Sequence, residues 1–394
     1  MTAYPPIIER PVEILVVTHY FAAHGGGIER VASGLIKSIA SSANIHFTWA
    51  ASASDAPPDT REQTILPMRA CNWTEYLFGV PWPVWGPKSL QRLKKAVEAA
   101  DIVWLHDTLY MGNLLAFRWA KKLRKPIVIT QHIGPIPYRN FLLRKAMEIA
   151  DRYLTLPMLR TASQALFISD RIAEDYYRRA GFTTPVTIIP NSVDLRMFHM
   201  PLTEKRRFLR HQFALKAEQP VVLFVGRFVK RKGLPVLRHL ASLMPHWRFW
   251  LAGQGPIKPE TWMLPNVHVF RDRSGASLAE LYQAADLLVL PSYGEGFPLV
   301  IQEALACGLP VMCSPETAAG SHATSPLLFH ASVWPSNAQR TAREWTQKLG
   351  SFPLRLPLEG PLADLSDFAL ASWEWPPIAD AYVNVFRRLC PPKR

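Results

Sequence analysis

Short apolar runs of strand length recur along this chain, separated by stretches long enough for amphipathic helices. That alternation restricts the fold to parallel sheets covered by helices on both faces. In the first half the runs lie at residues 13–18, 44–50, 101–105, 126–130, 165–169 and 186–190. In the second they lie at 221–226, 248–252, 266–270, 286–291 and 310–314. A chain of 394 residues exceeds what one core holds, so the runs divide into two doubly wound α/β domains. Residues 191–219 turn polar and basic with no strand period, which places the boundary near residue 200, between a domain 1–198 and a domain 199–372.

Several function classes drop out on composition. The longest apolar runs are strand-sized, so no segment is expected to span a bilayer. Residues 1–10 carry two prolines and a glutamate ahead of any apolar stretch, unlike an export signal, and the expected location is the cytoplasm. Cys71, Cys307, Cys313 and Cys390 form no Cys-x-x-Cys pair and have no histidine at metal spacing, which points to reduced, mostly buried thiols. The net charge of +14 suits phosphates, nucleic acid or an anionic membrane alike. Its distribution says more: residues 108–147 contain no acidic side chain but hold Arg118, Lys121, Lys122, Arg124, Lys125, Arg139, Arg144 and Lys145. No nucleic-acid-binding motif can be read, so nucleic acid is not an expected partner.

The chemistry concentrates at predicted strand ends. Ile28, Val31, Leu35 and Ile39 recur at helical spacing behind Gly25-Gly26-Gly27, so that loop ends a strand and opens a helix. Open parallel sheets bind ligands at such places, where helix N-termini offer unpaired N–H groups. In the second half, Arg227, Lys230, Arg231 and Lys232 follow a strand and Gly226, the arrangement a pyrophosphate requires when fixed donors meet its charge. Alone, such a run would be a solvated charge cluster. Gly253-Gln254-Gly255 marks a backbone-exposed loop after the next strand. Further on, Glu295 sits between glycines after a buried strand, and Glu303 lies on the helix that follows, where it can accept hydrogen bonds from a vicinal diol. In isolation, two such glutamates are simply helix N-terminal charges.

Together these motifs resemble glycosyltransferase family 4, over roughly residues 13–315 and the C-terminal helix, and they occur in the family's order. The two glutamates, with seven residues between them in a Pro-Ser to Pro-Val frame, carry the resemblance most specifically. It implies the GT-B fold: two doubly wound Rossmann-like α/β domains facing across a cleft, with residues 373–394 a helix crossing back to the first domain. It implies that Arg227 and Lys232 hold the diphosphate of a nucleotide-sugar donor and that Glu303 binds the ribose. Glu295 then holds the transferred sugar, near the Gly296 and Phe297 backbone, with Gly226, Gly253 and Gly255 lining the donor site. Gly26 and Gly27 approach the donor as well, while Gly25, His106 and His132 face the acceptor. His132, Glu295, Arg227 and Lys232 form the implied catalytic set. Departures are local: Ser192 stands at a hinge glycine, Arg231 where an acidic residue is common, and Arg271 at a glycine, while residues 316–321 only loosely echo the family's loop.

Family members retain anomeric configuration. With no Asp-x-Asp triplet in the chain, neither metal nor cofactor is expected, and Arg227, Lys232 and helix N-termini neutralise the diphosphate instead. Trp73, Tyr76, Leu77, Phe78, Trp82 and Trp85 beside Lys88, Arg92, Lys94 and Lys95, with the basic, leucine-containing stretch 138–159, suit anionic lipid headgroups. The expected acceptor is therefore a saccharide or lipid-linked saccharide, used by a peripheral enzyme at the inner face of a membrane. Other enzyme classes on this fold, a sugar-nucleotide epimerase or a glycogen-type phosphorylase, need different carboxylates or a longer chain. A non-catalytic relative that only binds sugar nucleotides is the alternative.

Overall fold

The computed structural model describes residues 10–41, 44–58, 63–72, 82–134, 141–182, 186–216, 219–351 and 362–390. It divides into two compact units. One takes the chain up to Ile168, Ile172–Pro190 and the segment from Trp375; the other takes Ser169–Arg171 and Asn191–Glu374. The division falls after Pro190, at the start of the stretch 191–219 that lacks strand period, and about ten residues before the boundary placed near residue 200. The cause is hydrogen bonding: Gln302 Nε2 donates to the Asn191 carbonyl (2.6 Å) and the Val193 N–H to the Trp373 carbonyl (3.1 Å), which ties these residues to the second unit.

The first unit is built on β1 (Val12–Tyr20), β2 (Ile45–Ser52), β3 (Gln63–Met68), β6 (Ile102–His106), β7 (Ile127–Gln131), β8 (Gln164–Phe167) and β9 (Thr187–Ile188). These strands pair in parallel in the order β3-β2-β1-β6-β7-β8-β9. Strand β3 has no apolar run to announce it and contains Pro67, which is tolerated because β3 is the sheet edge. A short antiparallel pair, β4 (Ala70–Cys71) and β5 (Val84–Trp85), follows it. Trp85 is buried, and its ring fills the space beside Gly112, where a Cβ would stand 2.5 Å away. It is therefore a core residue and not part of a membrane-facing aromatic cluster; Trp73, Tyr76, Leu77 and Phe78 lie outside the described residues.

Helix Trp375–Leu389 belongs to this unit and packs on helix Gly27–Ala40. The Trp375 ring occupies the place of a Gly34 side chain, 2.1 Å from where its Cβ would be. Tyr382 and Phe386 meet the buried Trp104 ring at centroid distances of 5.1 and 5.2 Å.

The second unit carries β10 (Val221–Val225), β11 (Arg248–Ala252), β12 (Val267–Phe270), β13 (Leu287–Leu290), β14 (Val311–Cys313) and β15 (Phe329–His330), all parallel, in the order β12-β11-β10-β13-β14-β15. Its loops close tightly: a Cβ at Gly253 would lie 2.0 Å from the Gly226 carbonyl oxygen, and one at Gly233, whose φ is +85°, 2.4 Å from that of Pro291. The basic stretch after residue 200 is not a solvated linker. Helix Thr203–Gln212 buries Arg206 and Arg210 against Asp286, with Arg206 Nη2 2.6 Å from Oδ1 and Arg210 Nη1 3.1 Å from Oδ2. Asp286 also accepts the Val221 N–H at 2.8 Å, so one carboxylate pins this helix to the start of β10. The four cysteines are free thiols; Cys307 and Cys313 are buried, and Cys71 is exposed.

Candidate functional site

In the second unit the chain places β11 on one side of β10 and later returns to place β13 on the other. At such a reversal the loops leaving the two strands open side by side at the carboxyl edge of the sheet. The loop after β10 carries Gly226, the exposed Arg227 and a single 3-10 turn, Lys230–Lys232. The loop after β13 carries Glu295, Gly296 and Phe297.

Lys232 Nζ lies 2.9 Å from each oxygen of Glu295, and Arg231 Nη1 lies 3.8 Å from Oε1. Burial works to raise the Glu295 pKa, but the charge of Lys232, then that of Arg231, and the Lys232 hydrogen bond hold it below the ordinary carboxylate value. Glu303 is buried on helix Leu299–Ala306, and its Oε2 accepts the Tyr282 hydroxyl at 2.7 Å. Phe297 is buried too, its ring 6.1 Å from that of Trp373. The structure therefore joins Lys232 to Glu295 and anchors Glu303 separately through Tyr282.

The backbone around Glu295 is gripped by three side chains. Arg231 donates to the Gly294 carbonyl at 2.9 Å, and Glu316 accepts the Gly294 N–H at 3.2 Å. Arg171 donates to the Glu295 carbonyl and pairs with Glu316 at 3.1 Å. Sequence reasoning missed Arg171 and Glu316, because a partner more than a hundred residues away leaves no local signal. Glu316 also gives the unusual loop after Ser314 a purpose, and Arg231, at a position usually acidic, becomes a brace for the glycine-flanked turn.

In the first unit the sheet order reverses at β1, and three adjacent strands end at histidines: His19 in β1, His106 in β6 and His132 just past β7. His106 Nδ1 and His132 Nε2 are 2.9 Å apart, so one ring donates to the other. Burial, then the charge of neighbouring histidines, pushes the His106 pKa well down, and burial takes His132 to about 3, leaving both rings neutral near pH 7. Asp107 adopts the left-handed region at φ 62°; its Oδ1 accepts the N–H groups of His132 (2.7 Å) and Ile133 (3.2 Å). Asn113 fixes the same turn by donating to the His106 and Asp107 carbonyls at 2.6 and 2.8 Å.

In the glycine loop, Gly25 takes φ +82°, and the space at Gly26 is occupied by the Glu29 carboxylate, 2.1 Å from where a Cβ would be. Glu29 Oε1 in turn lies 2.9 Å from His19 Nε2. Neither His19 nor Glu29 was legible as a site residue, since each is an ordinary member of a strand or an amphipathic helix.

Burial raises the Asp107 pKa to about 7, the His132 N–H hydrogen bond only partly opposing it. The folded-state value lies above the unfolded one, so across roughly pH 4–7 the folded protein keeps a proton that the unfolded chain has lost, and this contribution makes stability fall as pH rises. Asp107→Asn removes the effect. Between pH 5 and 7.5 the wild-type melting temperature should drop by about 5 °C relative to the variant. Parallel curves in thermal scans would refute the assignment.

Two family models match this chain: one described as Glycosyltransferase Family 4, over residues 25–196, and one described as Glycosyl transferases group 1, over residues 219–335. TuaC of Bacillus subtilis (strain 168), assigned to teichuronic acid biosynthesis as a glycosyltransferase, is 27% identical over 271 residues, 66% of this chain and 64% of that protein. The match spans about half of other curated relatives, 55% and 47% of two of them. In fold the chain is similar to sucrose-phosphate synthase from Thermosynechococcus elongatus, with a TM-score of 0.71, 19% identity, and 96% and 99% of the two chains covered. It is also similar to Anabaena HepE in complex with UDP and glucose, with a TM-score of 0.69, 15% identity, and 96% and 100% covered. At these identities the structural likeness is one of fold, the GT-B arrangement of two parallel-sheet α/β domains.

Proposed function

The chain belongs to glycosyltransferase family 4, and we propose that it is a retaining, metal-independent enzyme moving a sugar from a UDP- or GDP-sugar to a saccharide or lipid-linked saccharide. The setting is cell-envelope polysaccharide or glycolipid synthesis. The observation that carries this reading is the Lys232–Glu295 pair at 2.9 Å, braced by Arg231, at the carboxyl edge of the second unit's sheet. An arriving diphosphate competes for Lys232 and adds Arg227. The released Glu295 carboxylate then accepts hydroxyls of the sugar, while Glu303 accepts those of the ribose.

As the anomeric carbon–oxygen bond breaks, its electron pair leaves with the diphosphate, whose growing charge Lys232 and Arg227 meet. The acceptor oxygen bonds to the same carbon on the same face, and its proton passes to a leaving phosphate oxygen. The complex of the structurally similar HepE with UDP and glucose supports a nucleotide-sugar donor. A panel of UDP-, GDP- and dTDP-sugars should raise the melting temperature for one base and sugar, because a ligand at about 100 times its Kd adds roughly 2.7 kcal/mol to the native state. A panel without any shift counts against the reading. Donor hydrolysis by the wild type, lost in Arg227→Ala, separates an enzyme from a mere binder.

The proposal extends to an anionic surface at the inner face of a membrane. Among the described residues no helix is long and apolar enough to cross one. Helix Phe141–Ala150 and the turn after it expose Phe141 (59%), Leu142 (77%), Ile149 (58%) and Tyr153 (66%), interleaved with Arg144, Lys145 and Arg152. Apolar side chains flanked by cations suit insertion among acidic headgroups. The protein should float with phosphatidylglycerol liposomes at low salt and be released as salt rises; no co-flotation at low salt removes this part of the proposal.

A further inference from the structure

Among the described residues, neighbouring strand ends of the first unit leave several buried polar atoms without a hydrogen-bond partner, including His19 Nδ1, His106 Nε2 and Asp107 Oδ2. Atoms of that kind are costly unless something supplied in use completes them. His19 is the best defined. Its Nε2 lies 2.9 Å from Glu29 Oε1, with the two side chains only 6% and 2% exposed, and its ring stacks on Tyr110 at 3.9 Å and 3°. Burial works against the Glu29 charge, but the hydrogen bond from His19 and the charge of that ring hold its pKa below the ordinary value. The carboxylate has room only because residue 26 is glycine.

Ring plane and ring position are thus fixed, and Nδ1 is the atom left to act. With Nε2–H committed to Glu29, Nδ1 accepts a hydrogen bond when the ring is neutral and donates one when it is protonated. A hydroxyl answers both states. A phosphate would face the nearby Glu29 carboxylate, and an ammonium group would be refused by the protonated ring. We propose that His19, held by Glu29, binds a hydroxyl of the saccharide acceptor through Nδ1; this rests on the glycosyltransferase reading and adds a residue to its acceptor side.

Two substitutions dissect the ring. His19→Gln keeps an amide near Nε2 to serve Glu29 but vacates Nδ1, whereas His19→Asn restores an amide near Nδ1 and loses the Glu29 contact. Initial rates are measured with radiolabelled UDP- and GDP-hexoses and with octyl glucoside or octyl mannoside as acceptor, beside donor hydrolysis without acceptor. His19→Gln should raise KM for the octyl hexoside about tenfold and leave donor hydrolysis within about twofold of wild type, and His19→Asn should recover part of the loss. Glu29→Gln, which keeps an oxygen for Nε2, should raise the same KM by less; it carries the test if His19→Gln does not fold. An acceptor KM unchanged within about twofold, or equal losses of transfer and hydrolysis, overturns the assignment. A wild-type protein that hydrolyses the donor but glycosylates neither hexoside is a different failure: it removes the transfer reading, and the His19 assignment falls with it.

Discussion

Glu295→Ala should lower the rate of sugar transfer on the order of 100-fold while affinity for free UDP or GDP holds or rises. The two effects separate because Glu295 has two neighbours of different kinds. Towards the donor it is the acceptor for sugar hydroxyls; towards the protein it is the counter-ion that Lys232 Nζ contacts at 2.9 Å through both carboxylate oxygens. Removing it deletes the first interaction and liberates the lysine for the diphosphate. Loss of nucleotide affinity in step with loss of turnover would mean that Glu295 serves the loop and not the sugar. The variant should still fold, since Arg231 and Arg171 grip backbone carbonyls that remain.

Asp286→Ala is expected to cost about 3–5 kcal/mol of stability, because it strands two buried guanidinium groups. Arg206 and Arg210 are 7% and 8% exposed at the side chain, and Asp286 is 5% exposed. Both arginines would keep their backbone partners, the Gln283 and Ala285 carbonyls for Arg206 and the Ala284 and Gln219 carbonyls for Arg210, but no anion. Urea titration followed by tryptophan fluorescence and far-UV circular dichroism should show the midpoint fall with little change in slope. An unchanged midpoint would show that solvent reaches the cluster freely.

Much of this architecture is legible in the amino-acid order because strands buried on both faces read as uninterrupted apolar runs; 248–252 coincides with β11, and the run at 221–226 overshoots β10 by one residue. What escaped has identifiable physical causes. Strand β3 is polar at its start and interrupted by Pro67, which only an edge position allows. Arg206 and Arg210 lie in the polar, basic stretch that marks the domain boundary, and nothing near them in sequence reveals Asp286. The glutamates and the basic turn stand out in their local glycine frames, whereas His132 is singled out only by the family resemblance. Arg171, Glu316, His19 and Glu29 were not, since each takes its meaning from a partner on another element.

Trp104 is covered by Tyr382 and Phe386, which lie more than 270 residues later in the sequence. Synthesis runs from the N-terminus, so a nascent chain displays that indole until helix Trp375–Leu389 clears the ribosome. The C-terminal unit, apart from the short Ser169–Arg171 piece, is drawn from one continuous stretch and is complete in the nascent chain first. Shortening the chain by that helix should therefore damage the half made earliest, yielding a product that chaperones retain.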